Sequence, residues 1–267
     1  MIITKDFVFI HMPKTGGTFV HGIFKKIIAK YKKNNALHWY ANRLALKMNL
    51  AIPIYQKIDT IKYYEHPNNP VVGQHAGVSF IPTKYRMLPV ISVKRDPVKK
   101  FISAYYYRWW ERFPTLSITE LELLFPHYPD ITIEEYFKLA YDIEMKKFFE
   151  SDFREDIGVL SWQFIRMYST DPLYVYNNIT QQNYSEFVKT YFVNVQFFEM
   201  NTLNSDFEAY IKTTSFSEYS DFFETSERIY PPGSNIKKRS EKISNELSET
   251  LMSREWLLYN FFPEYKL

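Results

Sequence analysis

The sequence predicts an α/β fold in which a central, mostly parallel sheet is flanked by helices. Two apolar runs that each pass through a short turn into a helical stripe carry that reading, and a further alternation of strand-like and helix-like segments supports it. With 267 residues and 46% hydrophobic content the chain can bury a sizeable core, and a single domain over 1–267 is the expected organisation.

The first run is Phe7 to Ile10. Pro13 and the paired Gly16 and Gly17 follow it, and apolar residues then recur at Phe19, Val20, Ile23, Phe24, Ile27, Ile28 and Tyr31. That pattern is strand, tight loop and amphipathic helix, with Lys25, Lys26, Lys30, Lys32 and Lys33 on the solvated side. The second run, Leu88 to Val93, leads through Arg95-Asp96-Pro97 into a helical pattern at Phe101, Ile102, Tyr105 and Trp109. Asp96 suits the N-cap and Pro97 the first helical position, where its missing N–H would have had no helical acceptor. Weaker strands are expected near Val71 to Gly73 and Tyr191 to Gln196. Helical patterns occupy Ile133 to Phe149, Gly158 to Tyr168 and Asn245 to Phe261. The polar stretch Thr225 to Glu241, with Pro231-Pro232-Gly233, reads as a loop that could act as a lid.

Composition narrows the function classes. A net charge of +3 is too mild for a general polyanion binder, so nucleic acid is not suggested, while a locally basic pocket for a small anion is compatible with it. The absence of cysteine removes disulfides, thiol nucleophiles and Cys-based metal sites, in accord with a reducing compartment. Met1 to Phe9 is too short and too polar for a signal peptide or a membrane span, which leads us to expect a soluble, cytoplasmic chain. No carboxylate and histidine spacing suggests a metal site, and no Gly-x-Ser-x-Gly elbow is present. We expect no metal.

The strongest local signal is Pro13-Lys14-Thr15-Gly16-Gly17-Thr18 between the first strand and the first helix. Paired glycines let a backbone wrap closely around an anion, and the N–H groups and positive end of the following helix point at it. Thr15 and Thr18 could add hydroxyls and Lys14 a mobile positive charge. The loop is not a Walker A sequence, since there the lysine follows the second glycine. A plain strand-to-helix turn with incidental glycines is the other reading of this segment alone. The second element is Arg95, with Ser103 eight residues later and about 200° around the helix from Phe101 and Tyr105. An arginine and a hydroxyl so placed could hold a second phosphate, or Arg95 could be a surface ion-pair partner of Asp96 or another nearby acid.

Together, in this order, the two elements resemble those of the PAPS-dependent sulfotransferases, in particular the glycan-modifying branch that includes the uronosyl 2-O-sulfotransferases. The resemblance covers Phe7 to Thr18 and Val90 to Tyr107, and extends faintly to Val193 to Glu199 and to Ile236 to Lys242. It implies a P-loop-like sulfotransferase fold. It also implies that Lys14, Thr15, Gly16, Gly17 and Thr18 bind the 5'-phosphosulfate of 3'-phosphoadenosine 5'-phosphosulfate (PAPS) and that Arg95 and Ser103 bind its 3'-phosphate. Lys237, Lys238 and Arg239 correspond to a basic loop that closes over the 3'-phosphate, although a solvated basic turn has the same composition. The implied acceptor is a hydroxyl, on a glycan or glycoconjugate.

Sulfuryl transfer to a hydroxyl requires a base for the acceptor proton and a cation for the departing phosphate. The resemblance puts Lys14 in the cation role. His75 is the best placed of the six histidines for the base, 20 residues before Arg95. Aligning Val78-Ser79-Phe80 with the family's Val-x-Phe places the family's base position on Gly77, two residues after His75, so a carboxylate such as Glu65 is the alternative. His11, at the strand end, could contact ligand, while His21, His38, His66 and His127 have no supporting context. Two other functions compete: a nucleotide-dependent phosphotransferase, which would need a Walker-type lysine and magnesium ligands, and a nucleotide-binding module without catalysis. The aromatic residues from Tyr105 to Trp110 could stack on sugar rings or simply form core. Segments 34–70 and 111–157 are expected to shape the acceptor cleft.

Overall fold

The computed structural model describes residues 1–57, 75–112, 114–224 and 243–266. Along the chain run β1 (Ile2–Ile3), β2 (Val8–Ile10), α1 (Gly17–Asn34), α2 (Ala36–Lys47), β3 (Gln56–Lys57), β4 (Val90–Lys94), α3 (Pro97–Tyr105), α4 (Val159–Tyr168), β5 (Val195–Glu199), α5 (Leu203–Lys212) and α6 (Asn245–Arg254), with shorter helices between. The expected strand at Val71 to Gly73, the loop Thr225 to Glu241 and the residues Glu65, His66, Lys237, Lys238 and Arg239 lie outside the described residues. The described chain forms two compact units, 1–57 with 75–95 and 193–224, and 96–112 with 114–192 and 243–266. No helix among the described residues is long and apolar enough to cross a membrane.

The first unit holds the sheet, in the order β3-β1-β2-β4-β5. β2, β4 and β5 are parallel, as the sequence pattern predicts, whereas β1 pairs antiparallel with both β2 and β3. The sheet is therefore mixed rather than mostly parallel. The cause is a tight turn at Thr4, whose buried hydroxyl oxygen accepts from the N–H of Asp6 and Phe7 while its own amide donates to the Phe7 carbonyl. A turn that short can join only antiparallel strands. Two-residue strands also carry too little alternation to be read from sequence.

α1 covers the sheet with Phe19, Val20, Ile23, Phe24 and Ile27, and α5 does so with Leu203, Phe207 and Ile211. Phe9, Ile91, Val93 and Phe198 meet them from the strands. At roughly 1.5–3 kcal/mol for each fully buried large apolar side chain, this packing is what holds the sheet and its exit loops in place.

The second unit is helical. Asp96 caps α3 as its sequence predicts: its carboxylate accepts from Lys99 N at 2.7 Å, and Pro97 opens the helix. The predicted helix over Ile133 to Phe149 is helical throughout, but its middle, Lys138–Glu144, is wound as π-helix. The predicted helix over Asn245 to Phe261 breaks at Glu255. That fully buried carboxylate turns into the N-terminus of α4, accepting from Leu160 N at 2.9 Å, Ser161 N at 2.6 Å and the Tyr141 hydroxyl at 2.6 Å. Burial raises its pKa, and the same hydrogen bonds oppose the rise. Gly158, the N-cap of α4, must lack a side chain, because a Cβ there would lie 2.2 Å from Glu255 Oε1.

Candidate functional site

The exits of β2 and β4 lie side by side. Val8, Phe9 and Ile10 pair with Val90, Ile91 and Ser92, and the Ser92 hydroxyl donates to the Ile10 carbonyl at 2.7 Å, so β2 ends opposite Ser92 and β4 runs two residues further at the same carboxyl edge. The segments after them, Lys14 to Thr18 and Arg95, are the two elements singled out from the sequence. Ligands of parallel α/β sheets bind at this edge.

Backbone conformation shapes the first loop. Lys14 has φ 63° and Gly16 φ 96°, so two left-handed residues flank Thr15, and left-handed residues in a tight loop are an ingredient of anion-binding nests. Gly16 is the N-cap of α1. It supplies no side-chain cap, and the first turn of α1 carries no acidic residue, which leaves the positive end of this 18-residue helix without an anionic partner of its own. The glycines are required for different reasons. Gly16 needs its positive φ and rests on Leu203, whose Cδ2 would lie 3.1 Å from an added Cβ. Gly17 needs its missing side chain, since a Cβ would fall 2.0 Å from the His11 ring. Thr15 is buried and its hydroxyl donates inward to the Met12 carbonyl at 2.9 Å, which makes it a brace of the loop, whereas Thr18 is exposed.

Arg95 reaches the first loop. Its Nη1 donates to the Lys14 carbonyl at 3.0 Å, joining the two sequence elements directly. β5 ends beside them: Met200 N donates to the Lys94 carbonyl at 3.1 Å, and Glu199 pairs with Lys94 Nζ at 3.2 Å. The glutamate at the end of the late strand is thus matched to a lysine of the neighbouring strand.

His75 is placed by backbone. Its Nδ1 lies 2.8 Å from the His11 carbonyl oxygen. A carbonyl only accepts, so Nδ1 carries the hydrogen, and in the neutral ring the basic lone pair sits on Nε2. The rings of His11 and His75 are 4.6 Å apart, and His21 follows at 5.0 Å from His11. Burial, with the positive charges of the N-terminus and Lys57 behind it, lowers the His21 pKa to about 3. His21 is therefore neutral at physiological pH. Sequence reasoning passed over His21, although its place among Val20, Ile23 and Phe24 was the signal for an inward-facing ring. His38 bonds through Nδ1 to the Tyr31 hydroxyl at 2.8 Å.

In the second unit, α3 buries Phe101 and leaves Ser103 partly exposed, as the helical offset predicts. Lys100 is buried and precedes Ser103 by three residues, on neighbouring helical positions, a cation that the sequence pattern did not single out. Tyr105 stacks on Trp110, and its hydroxyl donates to the Ile131 carbonyl at 3.0 Å, so this part of the aromatic cluster is core. No group of three His, Asp or Glu among the described residues is arranged to hold a metal ion. Comparison of the chain with family models, with curated proteins and with solved structures gives no match.

Proposed function

We propose that the chain is a PAPS-dependent sulfotransferase of P-loop-like fold that transfers a sulfuryl group to a hydroxyl of a carbohydrate acceptor. The observation that carries this reading is the junction of the two elements: Arg95 bonded to the Lys14 carbonyl, at the ends of adjacent parallel strands, beside the uncapped N-terminus of α1. A loop with two left-handed residues, a helix dipole and two cations suits a doubly anionic nucleotide, and the residues present fit such a group.

PAPS would supply the sulfuryl group and, as adenosine 3',5'-bisphosphate, leave with the charge. Transfer forms a bond between the acceptor oxygen and sulfur as the bond from sulfur to the 5'-phosphate oxygen breaks. The amides from Gly16 to Thr18 and the Lys14 ammonium bind the 5' end, where negative charge grows on the departing phosphate. His75 takes the acceptor proton at Nε2, and the His11 carbonyl continues to accept from Nδ1–H, which favours the imidazolium that results. For Arg95, Ser103, Lys237, Lys238 and Arg239 the proposed role is the one that the resemblance implies, binding of the 3'-phosphate. The loop gives a phosphotransferase reading less support, because its lysine precedes both glycines. The reading is tested by incubating the protein with sulfur-labelled PAPS and a panel of glycans. Label in an acceptor, lost in Lys14→Ala, supports it; no transfer by a protein that binds the bisphosphate would leave a binding module in its place.

A further inference from the structure

From Phe7 to Ile58 the chain contains nine Lys and Arg and no Asp or Glu. Within this stretch lies α2, which buries none of its residues. Its inward side is fixed by two contacts. Trp39 packs against the core of the first unit, and Asn42 clamps the chain beyond the helix, Nδ2 donating to the Ile52 carbonyl at 3.0 Å and Oδ1 accepting from Ile54 N at 3.2 Å. At about 100° per residue, Leu37, Leu44 and Met48 fall within about 40° of one another and about 160° from Trp39. They are 90%, 62% and 61% exposed, and Leu50, just past the helix, is 73% exposed. Single exposed apolar side chains need no explanation, but an aliphatic stripe at helical spacing on the outer face does.

Charge decides what covers it. Lys32, Lys33, Arg43 and Lys47 are all exposed; Lys47 and Arg43 lie on one side of the stripe, about 80° and 120° round the helix from it, and Lys32 Nζ sits 5.6 Å from the centre of the Tyr40 ring on that same side. A second copy meeting this face with its own would bring like charges together, since the stretch carries cations and no Asp or Glu. An aliphatic stripe flanked by lysine and arginine, whose stems can lie along apolar surface while their heads reach anions, is the pattern of a helix that lies in a lipid interface.

We propose that this face docks onto an anionic lipid surface. Leu37, Leu44 and Met48 enter the boundary between headgroups and acyl chains, and the four cations meet the lipid anions. This surface is independent of the sulfotransferase reading.

The test is flotation of the full chain with vesicles of phosphatidylcholine alone and of phosphatidylcholine with about one-third phosphatidylserine. The expected result is partition at least about tenfold stronger onto the anionic vesicles, weakening as salt rises. The L37E/L44E variant, altered only at exposed positions, should lose about tenfold in partition while its circular dichroism and thermal midpoint are unchanged. A second variant, with Lys32, Lys33, Arg43 and Lys47 changed to Gln, should lose the preference for phosphatidylserine. Equal binding to both vesicle types, or unaltered binding of L37E/L44E, would overturn the proposal. So would a wild-type dimer in sedimentation that L37E/L44E converts to monomer, since a second copy would then be the occupant.

Discussion

Arg95 Nη1 donates to the carbonyl oxygen of Lys14 across 3.0 Å, so the residue that leaves β4 holds the backbone of the loop that leaves β2. In the proposed site this guanidinium both holds the loop and adds positive charge beside it. Arg95→Ala should weaken binding of adenosine 3',5'-bisphosphate by about ten- to a hundredfold, the scale of a lost hydrogen bond to a charged group. Arg95→Lys should recover only part of it, because an ammonium cannot fork. Lys14→Ala should behave differently, lowering turnover by about a hundredfold or more with a smaller effect on binding. Equilibrium titration and turnover assays on the same preparations separate the two.

His75 bonds to the His11 carbonyl through Nδ1, which makes Nε2 the basic nitrogen of the neutral ring and, in the proposed function, the one that takes the acceptor proton. His75→Gln is expected to reduce turnover by about 10²–10⁴-fold, the usual contribution of a general base, and to leave bisphosphate affinity within about twofold. Retained turnover in this variant would move the base to another residue.

Gly17 has no room for a side chain against His11. Gly17→Ala should lower stability by about 1–3 kcal/mol, as overpacking of a tight site does, with a matching drop in thermal midpoint. Adding His11→Ala should return part of that loss, since it removes the ring that an alanine at 17 would strike. A double-mutant cycle measures the coupling, and purely additive losses would contradict the close packing.

His21 is held neutral by burial, with a folded-state pKa of about 3 against 6.5 for an unperturbed ring. Its folded pKa is depressed, so the unfolded chain binds the extra proton first as pH falls. The stability tied to a neutral His21 is complete above pH 6.5 and is lost progressively from there toward pH 3. His21→Phe, which keeps a ring beside Phe9, should flatten this acid limb and shift acid unfolding to lower pH. Unfolding followed by circular dichroism across that range reads the difference.

The residues that could be read from the sequence were those under local rules. Asp96 and Pro97 start α3 because capping is decided within a few residues, and Phe7 to Ile10 and Leu88 to Val93 gave parallel strands because an unbroken apolar run marks a buried one. Tyr191 to Gln196 was read a few residues early, because the helix ahead of it ends in apolar residues that extend the run. α5 was legible at Leu203, Phe207 and Ile211, one apolar residue per turn, and was not read. α2 hid for the opposite reason, since its apolar residues face outward and the segment looked like part of a cleft. At the site, the glycines and Lys14 were visible as a motif. The bonds from Arg95 to Lys14 and from His75 to His11 join residues 81 and 64 positions apart, and no local pattern records them. The break at Glu255 is of the same kind, set by the amides of Leu160 and Ser161 far away in the chain.

In the proposed function the loop from Lys14 to Thr18 and Arg95 form a site for a 3'-phosphorylated, 5'-anionic adenosine nucleotide. Calorimetric titration of the purified chain with adenosine 3',5'-bisphosphate, compared with ATP and magnesium, tests it most directly. The bisphosphate should bind with about micromolar affinity, roughly −8 kcal/mol, and ATP much more weakly. No bisphosphate binding, or a preference for ATP, would contradict it and favour a phosphotransferase.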